Sequence, residues 1–360
     1  MFLSRSKFRF VFSVIFLSGF VSLQVLAASV ETLRVATWNV HDLFMSTPEG
    51  DPNLPDSVNF TPSSWRRWTE ARYQSQITNL AVVISAMKPD ILCIQEVAGS
   101  NVIRHLTHVL RTLPQGAIDY PHVAHKRSQD RRGIDVALIS RYPIKKYDLK
   151  QPVTGMRGAL VVQINVDKTD VYCIVNHWKS WVGDEKINTE IRLKEAQGVR
   201  AEALKILKTK PNAVLCIAGD FNDNLDGESL VKGLLAFPTR RKVQQFTDEV
   251  VFYNVLGEIP KDKLGSYYYA RRKAWNTFDA IVITAPMLLP VDEPGPAWRL
   301  PPSGKANVET FRHPDMVGAD GRPMPSRRTR IKGTDEYVLG HSDHFPVYAD
   351  FIRSRAVQKK

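Results

Sequence analysis

Eight short runs of the chain are apolar at nearly every position: 33–40, 91–96, 134–140, 159–166, 171–176, 213–218, 279–284 and 345–352. Their length and their content of β-branched residues predict strands. Because the apolar character is continuous instead of alternating, several should be buried on both faces, with helices or a second sheet as cover. Three stretches carry an apolar stripe at helical spacing. In 64–87 it is Trp68, Ile77, Leu80, Ala81, Ile84 and Met87; in 101–113 it is Ile103, Leu106, Leu110 and Leu113. In 185–209, Ile187, Ile191, Val199, Leu204 and Leu207 mark it less cleanly. Strands and helices intermix with no linker between them, which predicts a single α/β domain over residues 28–360. Two irregular stretches, 45–63 and 285–335, read as long surface insertions on that domain.

The first 27 residues are set apart. Arg5, Lys7 and Arg9 precede the apolar run "VFSVIFLSGFVSL", and small residues follow at Ala27 and Ala28. A basic region, a short apolar region and small residues at the boundary are the pattern of a cleaved secretory signal. The run is short for a bilayer span and carries Ser13, Ser18 and Ser22. The expected product is secreted or periplasmic.

Composition, at 43% apolar and 24% charged residues, is that of a globular protein with ample core. The formal charge of +12 falls to +9 without residues 1–27. A basic exported chain suits a polyanionic partner, either nucleic acid or an anionic lipid surface. The three cysteines lie inside the apolar runs "ILCIQE", "VYCIVNH" and "VLCIAGD", so they are expected to be free, buried thiols. Their spacing is not that of a zinc site.

Candidate chemistry sits at the ends of the apolar strands. Asn39 ends "LRVATWN", Glu96 ends "ILCIQE", His177 follows "VYCIVN", and Asp220 and Asn222 follow "VLCIAG". Asp279 opens "DAIVIT", and Asp343 and His344 precede the last strand. One carboxylate at a strand end commonly does no more than meet water there. Six such strand ends, all bearing residue types that bind metal or phosphate, point to a ligand site at one rim of a sheet. In "GDFND" an extended chain would aim Asp220 and Asn222 the same way and turn Phe221 into the core. In "NHWKSW" Lys179 stands near His177, where it could meet a phosphate. "LGHSDHFP" has turn residues around Asp343 and His344, so a loop could aim both into one cleft. His341 is assigned to the surface.

"TWNV", "IQEV", "NHWKS", "GDFND", "FDAIVIT" and "GHSDHFP", in this order, resemble the endonuclease/exonuclease/phosphatase superfamily over about residues 33–352. "NHWKS", "RLKEAQGVRAEAL" and "GSYYYARRKAWNTFD" look most like exported bacterial nucleases of that superfamily. The resemblance implies a four-layer sandwich of two packed mixed β-sheets flanked by helices. It implies Glu96 as principal metal ligand with Asn39 beside it and Asp343 nearby. It also implies that Asp220 and Asn222 position nucleophile and phosphate, that Asp279 pairs with His344, and that His177 is a second histidine. "RRGIDVALIS" resembles the strand facing that histidine, which makes Asp135 the candidate partner of His177. His41 departs from the pattern, standing where abasic-site repair enzymes carry an acid.

The implied activity is metal-assisted hydrolysis of a phosphodiester in DNA or RNA by a monomeric enzyme. Mg²⁺ is the expected ion, with Mn²⁺ or Ca²⁺ as alternatives. A lipid head-group phosphodiesterase or phosphatase is the second enzymatic reading, since its catalytic core would look the same. "YYYARRKAW", with Arg271 and Arg272, interleaves aromatic and basic residues as a surface for single strands would; it fits equally a strand with one packed tyrosine face. A binding protein on an inactive scaffold is disfavoured by the intact set of ligand and histidine positions.

Overall fold

The computed structural model describes residues 30–331 and 334–354, so the expected signal segment 1–27 lies outside the described residues. In chain order the first strands are β1 (Val30–Leu43), β2 (Ile91–Val97), β3 (His122–His125), β4 (Asp135–Ser140), β5 (Ile144–Lys150) and β6 (Ala159–Val166). There follow β7 (Thr169–His177), β8 (Val214–Asp220), β9 (Ala236–Phe237), β10 (Phe252–Asn254), β11 (Tyr267–Tyr269) and β12 (Ala274–Asn276). The last are β13 (Asp279–Thr284), β14 (Val308–Thr310), β15 (Arg327–Ile331), β16 (Thr334–Val338) and β17 (Val347–Ser354). The α-helices are α1 (Glu70–Met87), α2 (Gly99–Thr112), α3 (Glu185–Thr209) and the short α4 (Arg240–Gln244).

Two mixed sheets result, in the orders β14-β17-β1-β2-β4-β3 and β5-β6-β7-β8-β13-β10-β9. Strand alternation explains why the central runs are apolar throughout. Leu33, Val35 and Cys93 of the first sheet face Leu160, Val162, Cys173 and Cys216 of the second in the inter-sheet core. The intervening Trp38, Val40 and Ile94 point outward under α1 and α2. On the far side Ile174, Leu215 and Ile217 point out towards Val199 and Ala203 of α3. Helix, sheet, sheet, helix is the expected four-layer sandwich. Cys93, Cys173 and Cys216 are free and buried, as expected.

All eight expected strands and all three expected helices form. α1 begins at Glu70, six residues later than the expected start at 64, because the Thr69 hydroxyl accepts the Arg72 N–H and caps the helix there. Trp68, just before the cap, packs edge-on against Phe60 of the first insertion. β5, "IKKYDLK", escapes an apolar-run criterion because it is an edge strand with a charged, mostly solvent-facing surface. The second insertion is less irregular than expected, since it contributes β14 to the first sheet and β15 to a hairpin with β16.

Candidate active site

Strand direction brings the strand-end residues to one rim. β1 and β2 are parallel, as are β7 and β8, so Asn39, Glu96, His177 and Asp220 arrive together. β17 runs antiparallel to β1 and β13 antiparallel to β8, so the loop that carries His344 into β17 and Asp279 at the start of β13 lie at the same edge. Asp279 lies directly opposite Asp220 in the ladder. Gly219 allows β8 to press against β7 here: its φ is +152°, and a Cβ would meet the Asn176 backbone.

The acidic half of the site depends on backbone in left-handed conformation. His41, Asp42 and Glu96 have φ of 58°, 49° and 64°, where each non-glycine residue costs about 1–2 kcal/mol. The β1–β2 and β2–β4 ladders both shift register here. The resulting bulge aims the Asp42 N–H at Glu96 Oε2 (2.8 Å). Asn39 Nδ2 donates to Glu96 Oε1 (3.1 Å) and to Asp220 Oδ2 (3.0 Å), tying the two sheets together through their carboxylates. The amide oxygen of Asn39 accepts the His41 N–H (3.0 Å). Asn39 is thus placed as a bridge between acids more than as the oxygen ligand the resemblance implied.

Below Glu96, the Asp42 carboxylate pairs with Arg132 Nη2 (2.5 Å) and Arg66 Nη2 (3.2 Å), and Arg132 Nε reaches Asp56 of the first insertion (2.9 Å). Burial pushes Asp42 up, yet the charges of His41, Arg132 and Arg66 bring it below the usual carboxylate range. Glu96 is held above its range by burial first and then by the Asp42 charge, with Asp343 adding to it.

The other half is a carboxylate between two histidines. Asp220 Oδ2 lies 3.5 Å from His177 Nε2 and 4.0 Å from His344 Nε2. Burial raises Asp220 to about 7, against the opposing pull of His344. His344 Nδ1 meets Asp279 Oδ2 at 2.7 Å. Burial works against its charged form, but Asp279, and less strongly Asp343 and Asp220, raise it to about 10. His177 moves the other way, well below 6.5, through burial and then the nearby Arg157 charge. One histidine is therefore cationic at neutral pH and the other neutral, set by environment alone.

A hard divalent cation fits beside Glu96. Each Glu96 oxygen carries one of the hydrogen bonds above and keeps lone-pair capacity, and the concentration of negative charge with Asp343 is what such an ion would relieve. Asp343 remains partly exposed, 3.9 Å from His41 Nε2. Ligand atoms of Asp220, Asp279 and His344 also lie within 4.8 Å of one another. That group is better read as a dyad beside an acid, because a protonated imidazole engaged by Asp279 has no lone pair to give.

Several expectations are corrected. Asp135 does not face His177. It opens β4 in the opposite sheet, where neighbouring β3 brings His125 Nε2 to 3.0 Å, and its other oxygen takes Arg127 (2.6 Å) and the Ser128 N–H (2.9 Å). Among the described residues His177 Nδ1 is buried without a partner. Asn222 is not extended: with φ of 47° its amide donates to the Trp178 carbonyl (3.0 Å) and its N–H holds Asp220 Oδ1 (2.8 Å). Lys179 Nζ turns to the Val182 carbonyl (3.4 Å). Arg272 pairs with Glu185 and covers Trp181, and Arg271 is exposed at the hairpin turn. His341 is buried, its imidazole lowered by burial to about 4.

Sequence reasoning missed Asp42, although it adjoins His41, and it missed Arg132, which reaches Asp42 across 90 residues with no local signature. It also missed Arg157, whose buried guanidinium holds the carbonyls of His177 and Trp178 (3.2 and 2.8 Å). Ser342 was passed over too; its hydroxyl ties the His344 loop to the Asn39 carbonyl (2.6 Å).

No curated protein matches the sequence. Among solved structures, the fold is similar to a D. rerio TDP2 complexed with single strand DNA product, at 16% identity and a TM-score of 0.50, covering 89% of this chain and 98% of that one. An endonuclease/exonuclease/phosphatase family protein from Bacteroides thetaiotaomicron gives 14% identity, a TM-score of 0.52 and coverage of 91% and 97%. SmcL gives 14%, 0.52, and 89% and 98%. The family match spans residues 34–353, and the chain belongs to the Endonuclease/Exonuclease/phosphatase family.

Proposed function

We propose that this phosphoesterase is an exported, monomeric nuclease that hydrolyses phosphodiester bonds in DNA or RNA. The observation that carries hydrolysis is Asp220 set between His177 and His344, its Oδ2 within 4.0 Å of both Nε2 atoms. With its carboxyl raised to about 7, Asp220 can take a proton from attacking water near neutral pH. The His344 imidazolium, held by Asp279, faces the same point through Nε2 and stabilises charge growing on the phosphate. Neutral His177 offers a hydrogen bond there without adding charge. Asn222 fixes Asp220 through its N–H. Glu96 and Asp343 would hold Mg²⁺, or Mn²⁺ or Ca²⁺ in its place, which when bound neutralises charge on the phosphate and leaving oxygens.

A nucleic-acid substrate is favoured by the +9 charge left after removal of residues 1–27 and by the aromatic hairpin β11–β12, whose Tyr267 ring lies 4.6 Å from the His344 ring. A lipid head group is the second reading, supported by Leu289 and Val291, apolar residues 37% and 39% exposed in the second insertion. Purified protein with Mg²⁺ should be offered plasmid DNA, RNA, sphingomyelin and inositol phosphates side by side. Cleavage of DNA or RNA, with affinity falling steeply as salt rises, is expected; faster turnover of sphingomyelin overturns the nuclease reading.

A further inference from the structure

A cleft of about 550 Å³ opens between the β11–β12 hairpin and loop 318–325 of the second insertion. That volume lies in the range of small-ligand sites. Tyr267 and Asp343 line one end of it, and Tyr267 is bridged through its backbone to His344. The cleft therefore opens beside His344, at the edge of the candidate active site. Arg322 and Tyr268 also line the cleft, with the Arg322 guanidinium carbon over the Tyr268 ring, 3.7 Å from its centroid. The loop holds Arg322 in place through Asp320, which accepts its N–H (3.1 Å) and faces its Nε (3.4 Å).

We propose that this cleft is a base-binding subsite for one of the two nucleotides that flank the scissile phosphate, with the Arg322–Tyr268 stack as its platform. The proposal rests on the nuclease reading and narrows it. Tyrosine faces and guanidinium planes are both surfaces on which an unstacked base lies flat. A quaternary ammonium head group needs an aromatic face free of other cations. Here Arg322 already covers the Tyr268 face, so the chemistry favours a planar base over choline.

The test uses single-stranded oligonucleotides that carry one tetrahydrofuran abasic residue on either side of a defined phosphate. Wild-type protein should cleave that phosphate roughly ten-fold more slowly, by kcat/KM, when the missing base is the one the cleft holds. Arg322→Ala and Tyr268→Ala should cleave the intact strand at about that reduced rate and show no further loss on the abasic strand. Circular dichroism and Tm confirm folding, and Arg322→Lys, which keeps the charge but not the planar stack, should also lose discrimination. Equal wild-type rates beside base and abasic residues on both flanks, or variants that still discriminate, overturn the subsite while leaving the nuclease reading intact. No cleavage of any oligonucleotide alongside turnover of sphingomyelin overturns both.

Discussion

His344 Nδ1 lies 2.7 Å from Asp279 Oδ2, although the two residues are 65 positions apart. Asp279 opens β13 in one sheet and His344 lies in the loop just before β17 of the other, so their contact spans the sandwich at its rim. A carboxylate that accepts the imidazole N–H fixes the ring and favours its charged form. Asp279→Asn keeps size but removes charge, and it should lower kcat by about 10²–10⁴-fold with little change in binding. The double variant with His344→Ala should be scarcely worse than His344→Ala alone, because residues that act as a unit are not additive. Steady-state kinetics on the four proteins decide it; additive losses would dissolve the dyad.

The same pair sets the alkaline limb of the pH profile. His344 is raised to about 10, so its charge survives through neutral pH and is lost only as pH rises through that value. Without the Asp279 charge the burial that opposes protonation is no longer balanced. The pH at which Asp279→Asn loses its residual kcat should therefore fall, with Asp343 and Asp220 left as the charges that still favour protonation. An alkaline limb that stays in place would show that His344 does not supply the essential positive charge.

Metal binding should depend on a residue that touches no metal. Arg132 joins Asp42 to Asp56, and the Asp42 N–H orients Glu96. Arg132→Met should weaken Mg²⁺ binding by about 10–100-fold, in line with the loss of an outer-shell partner. Glu96→Gln should remove measurable binding while the protein stays folded. Calorimetric titration of Mg²⁺ without substrate reads both directly. Wild-type affinity in Arg132→Met would leave the Asp42 network a purely structural role.

The sandwich and the gathering of polar strand-end residues at one rim were legible because both follow from local signals. Runs such as "VLCIAG" are apolar on both faces only if both faces are covered, and a polar residue at the end of such a run has nowhere to go but the rim. What escaped depends on contacts between distant segments. Asp135 has the same local appearance as Asp279, each opening an apolar strand, yet one joins His125 and the other His344. Only sheet order separates them. Arg132 and Arg157 lie in loops with no periodicity, and their roles arise from what the fold brings alongside. Asn222 was misread because an extended chain was assumed where the backbone turns left-handed.

The thiols give a direct reading of the inter-sheet core. Cys173 and Cys216 are partners on adjacent strands, and Cys93 faces them from the other sheet. The hydrogen bond that the Cys93 thiol donates to Cys173, together with burial, holds Cys93 far above its usual range, and burial does the same for Cys216. A thiol reagent should therefore find no reactive group in the native protein and three after denaturation. A disulfide in the intact mass would contradict this.

Glu195 on α3 should make stability fall as pH rises. Its side chain is buried, and Oε2 accepts the Lys179 N–H at 2.8 Å, which helps hold the loop that follows His177. Burial raises it to about 7, more than the Lys179 N–H and the charges of Arg157 and Arg192 lower it. The folded state thus binds its proton more tightly than the unfolded chain, where a glutamate titrates near about 4.3. Its favourable contribution is complete below that unfolded value and is lost as pH rises through 7, a change of roughly 2–4 kcal/mol. Glu195→Gln keeps an acceptor for the Lys179 N–H and cannot ionise. Urea unfolding between pH 5 and 8 should show the variant gaining on wild type as pH rises, with kcat unchanged at neutral pH. Parallel curves for the two proteins would mean that Arg157 and Arg192 keep Glu195 ionised throughout.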